Sequence, residues 1–225
     1  MKHKLLVILV LAIMASCAEP EFDREIFVYF NDFETGDYTG IDSVYISEFD
    51  DSKVMGNFNN SGFSLKLNDL PDHDYIKLTF NLYIHDSWEG NSNDSGSGEL
   101  DHDAWILEFD PDKKISPAEK IYFETTFSNG LCIPGWCFNQ SYPNEFPFNQ
   151  EARALALSRN MQGWCLWQTS PIGTSVYRIE KVFPHTRSST VLAFYDRLKT
   201  DDSFDPICDE SWSLDNLSIS ILTTK

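Results

Sequence analysis

Basic residues are scarce in this sequence. Its 225 residues contain 17 Lys and Arg against 35 Asp and Glu, so the formal net charge is −18. Such a surface repels phosphate groups, and we therefore expect no nucleic-acid partner and no binding to anionic lipid headgroups. The same carboxylates attract divalent cations.

Several signatures of catalytic and metal sites are also absent. The sequence has no Gly-rich phosphate loop, no Gly-x-Ser-x-Gly nucleophile motif and no Cys-x-x-Cys pair, and its five His are scattered. The first two absences argue against phosphoryl transfer and serine-type hydrolysis, and the last two argue against a zinc site. We expect a protein that is not an enzyme.

No apolar run is long enough to cross a bilayer comfortably. The longest, residues 5–15, follows a short basic segment and has the length of a signal-peptide core. It ends at Met14-Ala-Ser-Cys17, which resembles a bacterial lipobox. The resemblance implies that residues 1–16 are a lipoprotein signal peptide, that Cys17 is acylated and that residues 17–25 form an acidic tether.

Lipid anchoring determines the expected location of the protein. Acyl chains on Cys17 would hold it at a membrane without a spanning helix. We therefore expect it in the cell envelope of a Gram-negative bacterium, on the periplasmic or outward face of the outer membrane. The alternative is an ordinary signal peptide that is cleaved near Ala18, which would discard Cys17.

Four cysteines remain when Cys17 is set aside. An even number in an exported chain favours disulfides. Cys132 and Cys137 flank a Pro-Gly turn, which predicts a local bridge between them. Cys165 and Cys208 would then form a long-range bridge in front of the last predicted strand.

Alternating apolar and polar residues, separated by turn clusters, indicate strands along most of residues 26–225. Eight or more such strands predict a single all-β domain in which two antiparallel sheets pack as a jelly-roll, or concanavalin-A-like, sandwich. The expected strands are 26–30, 62–67, 75–84, 104–109, 120–127, 175–183, 191–198 and 213–222. Residues 151–158 form the only segment for which we expect a helix.

Several short motifs occur in an order that resembles a group of uncharacterised exported bacterial proteins with this sandwich fold. Among them are Asp86-Ser-Trp-Glu-Gly-Asn91, Thr125-Thr-Phe-Ser-Asn129, Gln140-Ser-Tyr-Pro143 and Asp209-Glu-Ser-Trp-Ser-Leu-Asp-Asn216. The resemblance implies a jelly-roll sandwich and an exported location. It implies no reaction, since the group has no established activity.

Both ends of the domain carry acidic motifs that resemble those of jelly-roll modules such as MAM domains and several carbohydrate-binding modules. The motifs are Asn31-Asp-Phe-Glu34 and Leu214-Asp-Asn216. The resemblance implies that the two ends meet at one sheet edge and share a structural Ca²⁺. The expected ligands are Asp32, Glu34 and Asp215, with Asp209 and Glu210 as further candidates. The alternative is that these acids are solvated groups at a sheet edge.

Aromatic residues in the predicted loops favour glycan binding, since sugar rings stack on exposed indoles. The expected platform consists of Trp136, Trp164, Trp167 and Tyr142. Trp105, in contrast, alternates with apolar strand residues and is expected in the core. We therefore predict recognition or adhesion, with a glycan as the ligand.

Two alternatives to glycan recognition remain. Glu99-Leu-Asp-His-Asp103 resembles the Glu-x-Asp-x-Glu strand of laminarinase- and lichenase-type glycoside hydrolases, which implies catalysis by Glu99, Asp101 and Asp103. Asp103 is one methylene shorter than the glutamate of that pattern, and the shortening moves its carboxyl group out of reach. The other alternative is a structural surface protein without a small ligand.

Overall fold

Strands dominate the part of the chain that the structure describes. The structure is a computed structural model that describes residues 20–91, 102–113, 120–130, 138–170, 173–199 and 205–225. The strands in these ranges are β1 (Phe22–Asn31), β2 (Ile41–Asp42), β3 (Ile46–Phe49), β4 (Ser52–Phe58), β5 (Gly62–Leu67), β6 (Tyr75–Asp86), β7 (Ala104–Phe109), β8 (Tyr122–Thr126), β9 (Ser158–Met161), β10 (Thr174–Pro184), β11 (Thr190–Arg197) and β12 (Glu210–Thr224). One short helix, α1 (Pro206–Asp209), directly precedes β12.

The strands form two antiparallel sheets. The larger sheet has seven strands, in the order β3-β4-β12-β6-β10-β9, with β1 also paired to β12. The smaller sheet has five strands, in the order β2-β5-β11-β7-β8. The two sheets are not closed into a barrel. They confirm the predicted all-β, two-sheet sandwich, and each strand that alternation indicated is present.

Strand β12 is the common neighbour in the larger sheet. One of its edges pairs with β6 along most of its length. The other edge pairs with β4 in its first half and with β1 in its second half. Between the halves, Asn216 has a φ of 54°, and the register with β6 shifts between Asp215 and Ser218. This irregularity bends β12, so that β1 can follow β4 along the same edge.

The core lies between the sheets and contains many aromatic side chains. Period-two alternation along β6 buries one side-chain row, which consists of Ile76, Leu78, Phe80, Leu82 and Ile84. Trp88, Trp105 and Trp212 are fully buried, so Trp105 is in the core as predicted. The indole N–H of Trp88 donates to the carbonyl of Ser211 and joins the end of β6 to the start of β12.

The helix prediction for residues 151–158 is wrong. Arg153 and Leu155 have positive φ values of 61° and 60°, a backbone region that right-handed helices do not contain. The backbone N–H of Arg153 donates to Oε1 of Gln140 at 2.8 Å. Alanine and leucine favour a helix in this segment, but the contact with Gln140 fixes a series of turns instead.

One of the two predicted disulfides is confirmed. Cys165 and Cys208 are bonded, with their Cα atoms 5.1 Å apart and a sequence separation of 43. The bond connects the loop after β9 to α1. Cys132 and Cys137, the other predicted pair, lie outside the described residues.

The predicted signal peptide and Cys17 also lie outside the described residues. Within the described ranges, no helix has both the length and the apolar character that a membrane crossing requires. Membrane association through Cys17 therefore stays a prediction of the sequence.

A buried histidine pair joins the loop before β6 to the loop after β10. Nδ1 of His73 lies 2.6 Å from the carbonyl oxygen of Pro71, which can only accept, so this nitrogen carries a proton. Nε2 of His73 then accepts from Nδ1 of His185 at 2.7 Å. The remaining nitrogen of His185, Nε2, is buried without a hydrogen-bond partner among the described residues. Burial, helped by the charge of Arg187, lowers the pKa of His185 to about 4.

Replacing His185 should reduce the acid sensitivity of the fold. As the pH falls from about 6.5 to 4, an unfolded chain protonates His185 and the folded protein does not, so stability falls by up to about 1.4 kcal/mol per pH unit. His185→Asn keeps a donor near the Nδ1 position but does not titrate. We expect its free energy of unfolding, measured by urea denaturation, to fall less steeply than that of the wild type across this window. If the free energy of unfolding fell equally steeply with pH in the two proteins, His185 would not be the group that titrates in this window.

Candidate functional site

A cleft of about 710 Å³ opens at one end of the larger sheet. The turn between β3 and β4 forms one side, with Phe49 and Asp50. The end of β9 and the loop of residues 163–168, which we call the Trp164 loop, form the other side. The cleft therefore lies between a hairpin and a disulfide-bonded loop.

Aromatic rings form one wall of this cleft. Phe49 and Trp164 are stacked, with ring centroids 5.8 Å apart and planes inclined by 18°. Behind Phe49 lie Tyr83 and His85 of β6, at centroid distances of 5.7 and 4.6 Å. Phe49 and Trp164 are both partly exposed, so their rings are accessible to a ligand.

The carboxylate of Asp86 determines the position of the Trp164 loop. It accepts the backbone N–H groups of Trp164, Cys165 and Trp167 at 3.0, 3.2 and 2.9 Å. Asp86 is the last residue of β6 and is 1% exposed. Burial raises its pKa to about 6, against the opposing effect of the three N–H donors. The loop thus folds around a single buried carboxyl group.

Two glycines allow this close approach. A Cβ atom on Gly163 would lie 2.1 Å from Oδ1 of Asp86, and one on Gly173 would lie 2.2 Å from the backbone nitrogen of Gly163. The carbonyl of Gly173 also accepts the backbone N–H of Asp86. Any larger residue at either position would push the Trp164 loop away from the sheet.

A serine–histidine hydrogen bond lies below the cleft. Nε2 of His85 is 2.7 Å from Oγ of Ser213, and Nδ1 is 3.0 Å from Oγ1 of Thr174. All three residues are fully buried, and burial lowers the pKa of His85 to about 3. The hydroxyl of Ser213 is therefore not accessible to a substrate. The neutral imidazole connects β6 to the strands on both sides of it.

The acids predicted to bind calcium at the two ends of the domain lie near one another. Burial raises the pKa of Asp215 to about 6, and the charges of Glu34 and Asp32 add to this effect. Each carboxylate already has protein donors. Glu34 accepts from Ser52 and Lys53, and Asp32 and Asp215 accept backbone N–H groups. In this arrangement the three groups do not form a coordination shell.

The same holds for metal sites elsewhere in the described ranges, where no three His, Cys, Asp or Glu side chains are arranged to hold a metal ion. Glu210 is the first residue of β12, about 16 Å from Asp215 at 3.3 Å per residue, and Asp209 lies one residue further away at the end of α1. They are therefore too far away to join Asp32, Glu34 and Asp215 around one ion.

Glu210 instead pairs with Asp103. A hydrogen bond joins their side chains, and burial raises the pKa of both carboxyl groups, that of Asp103 to about 6. The carboxylate of Asp103 also accepts the backbone N–H groups of Glu89 and Lys199, so it holds two loops together. Glu99 and Asp101, its expected partners in a hydrolase strand, lie outside the described residues.

The structure describes three of the four aromatic residues expected to form a glycan platform. Trp164 lines the cleft, and Trp167 is 37% exposed on the same loop. Tyr142 is buried in the core, where its ring packs against Phe127 and Tyr177, and this position does not fit the ligand-binding role expected for it. Trp136 lies outside the described residues.

Sequence reasoning missed Phe49, Asp50 and Asp86 as parts of this site. Asp50 and Asp51 both have positive φ values, 51° and 64°, in the two-residue turn between β3 and β4. Aspartate tolerates this region, so an Asp-Asp pair between two apolar segments is the signal that could have indicated the hairpin. No comparable signal connects Asp86 with a loop that lies almost eighty residues later.

No family model matches the chain, and no curated protein matches it. Among solved structures, the chain is similar to a family GH115 4-O-methyl-α-glucuronidase with specificity for decorated arabinogalactans, at 9% identity and a TM-score of 0.31. The similarity covers 90% of this chain and 18% of that enzyme, so the chain spans less than a fifth of the enzyme's length. A likeness at this level supports no conclusion about function.

Asp86→Asn should loosen the Trp164 loop. The new amide nitrogen would face at least one backbone N–H donor, so the loop would lose hydrogen bonds to a charged acceptor. We expect the amides of Trp164, Cys165 and Trp167 to exchange hydrogen about tenfold faster or more.

A second buried aspartate provides the matched control for this experiment. Asp196 accepts the backbone N–H groups of Asn60 and Ser61, and burial raises its pKa to about 6. Asp196→Asn should weaken the fold and leave exchange in the Trp164 loop close to that of the wild type. If both variants changed the loop equally, Asp86 would have no specific role there.

Proposed function

We propose that this protein is a lipid-anchored glycan-binding protein of the bacterial cell envelope, and that the cleft beside Trp164 is its binding site. The observation that carries the proposal is the accessible Phe49–Trp164 wall, which faces a polar lining. The C–H face of a sugar ring carries partial positive charge and packs on the negative face of an aromatic ring. Amides and carboxylates around such a wall can bond the sugar hydroxyls.

The polar lining of the cleft has the groups that a sugar requires. Asn160, Gln162 and Gln168 each present a side-chain amide with both donor and acceptor atoms, and all three are exposed. Glu48 and Asp50 add acceptors for hydroxyl donors. A concave site with an apolar wall and a few convergent polar groups is the usual form of a small-ligand site.

The position of the cleft agrees with an anchor at Cys17. Strand β1 begins at Phe22, five residues after Cys17, and Phe22 pairs with Thr224 at the far end of β12. The cleft lies at the other end of the sheet, beside Asp86. Strand β6 runs between these ends and is roughly 36 Å long at 3.3 Å per residue. An anchored protein could therefore hold the cleft away from the membrane.

Removing the indole of Trp164 should weaken binding. We expect the full chain, solubilised in mild detergent, to bind one or more members of a glycan array. Trp164→Ala should lose about tenfold in affinity, since stacking on an aromatic ring contributes about 0.5–1.5 kcal/mol beyond the apolar area that it buries.

Phe27→Ala is the control for loss of an exposed ring, because Phe27 is 73% exposed on β1 and lies outside the cleft. It should bind like the wild type. Failure of the wild-type protein to bind any glycan, or equal binding by both variants, would contradict the proposed function.

A structural calcium at the ends of the domain is a separate part of the proposal, and its binding would require Asp32, Glu34 and Asp215 to exchange their present protein donors for the ion. A cation that binds only the folded protein raises its melting temperature. We expect 5 mM Ca²⁺, an excess of roughly a hundredfold over a moderate Kd, to raise the melting temperature of the wild type by several degrees relative to EDTA. Asp215→Asn should remove the difference, whereas Asp196→Asn should retain it. An identical wild-type melt in Ca²⁺ and EDTA would eliminate calcium from the proposal.

A further inference from the structure

Acidic side chains set the charge of the cleft. Glu48 and Asp50 stand on its hairpin side, and both are exposed. Neither carboxylate has a side-chain hydrogen bond or salt bridge within the described residues. None of the described residues that line the cleft is Lys or Arg. The charged groups that a ligand meets there are therefore of one sign.

The basic residue that pairs with Glu48 across the hairpin points away from the cleft. Lys53 is the cross-strand partner of Glu48 in the β3–β4 hairpin. Its Nζ donates to the backbone carbonyl of Glu34 at 3.1 Å, on the side where the ends of the domain meet. Its ammonium group therefore contacts the backbone at Glu34 and does not line the cleft.

Charges behind the aromatic wall have the same sign. Tyr83 packs edge to face against Phe49, with ring centroids 5.7 Å apart. Burial raises the pKa of Tyr83 to about 12, and the charges of Asp215 and Asp50 add to the rise. The negative potential therefore extends from the rim of the cleft to its aromatic wall. Low-dielectric walls strengthen such a potential within a cleft.

We infer that the cleft selects its glycan by charge. It binds sugars that carry free amine groups in preference to neutral sugars, and it excludes sugars that carry carboxylate or sulfate groups. Glu48 and Asp50 are the residues that determine this specificity. An ammonium group on a sugar gains an ion pair with these carboxylates, whereas a uronate or sulfate meets two like charges. The inference rests on the proposed glycan-binding function.

The experiment measures binding of the full chain to matched oligosaccharides. The probes are hexosamine oligomers with free amines, the same oligomers with N-acetyl groups, and uronate oligomers. We expect binding in that order, and we expect the advantage of the free amine to shrink in about 0.5 M NaCl, where screening acts over a few ångströms. The double variant Glu48→Gln/Asp50→Asn should lower the ratio of amine to N-acetyl affinity by about tenfold.

Neutralising two acids far from the cleft distinguishes the effect of charge in the cleft from the effect of the net charge of the protein. Asp69 and Asp72 lie in the loop before β6 and are exposed, and the start of β6 is about 26 Å at 3.3 Å per residue from Tyr83, which packs against Phe49 of the cleft. Asp69→Asn/Asp72→Asn changes the net charge equally, and it should leave the affinity ratio unchanged.

Four results would overturn the inference. Uronate binding as tight as amine binding, with dependence on Trp164, would refute the charge selection and leave the proposed function intact. An unchanged ratio in Glu48→Gln/Asp50→Asn would remove these two residues as its cause. Oligolysine binding as tight as that of any sugar would assign the cleft to basic peptides. If no sugar of any class binds, the proposed function and the inference fail together.

Discussion

The pairing of β12 with β6 is the constraint on which the rest of the structure depends. Both strands are long, and β1, β4 and β10 each pair with one of them, while the edge strands β3 and β9 pair with β4 and β10. β12 can take β4 and β1 as successive neighbours on one edge because Asn216 bends it at mid-length. The same pairing brings the end of β6 and the start of β12 together. The sheet therefore has one end where β1 begins and another where the cleft lies.

At the cleft end, one buried carboxyl group accepts the backbone hydrogen bonds that neighbouring strands accept elsewhere in the sheet. The Trp164 loop has no strand ladder of its own, so its N–H groups require acceptors, and Asp86 supplies them. The loop then presents Trp164 against Phe49 of a separate hairpin. A loop held on a rigid sheet is a common basis for binding sites. Here the side chain of Asp86 and the Cys165–Cys208 bond hold the loop in place.

The features of the fold that could be predicted depend on local sequence patterns. The features that could not be predicted depend on contacts between residues far apart in sequence. Period-two alternation indicated long strands such as β6, because one face of each is buried. It missed β3 and β4, whose burial is uneven along their length. The alanine and leucine content of residues 151–158 favoured a helix where Gln140 imposes turns through Arg153. Trp164 was predictable as a tryptophan in a loop. Its stacking on Phe49 was not, because that contact depends on how the β3–β4 hairpin packs against the Trp164 loop.

The bond between Cys165 and Cys208 has a consequence for the unfolded chain. Its loop of 43 residues includes β10 of the larger sheet and β11 of the smaller one. Closing a loop of this length lowers the entropy of the unfolded chain by an amount equivalent to about 4 kcal/mol. A chain denatured with this bond intact contains a covalently closed loop, and the bond that closes it keeps the Trp164 loop next to α1. Refolding then starts with the two sides of that contact already joined, and the search for it has no entropic cost.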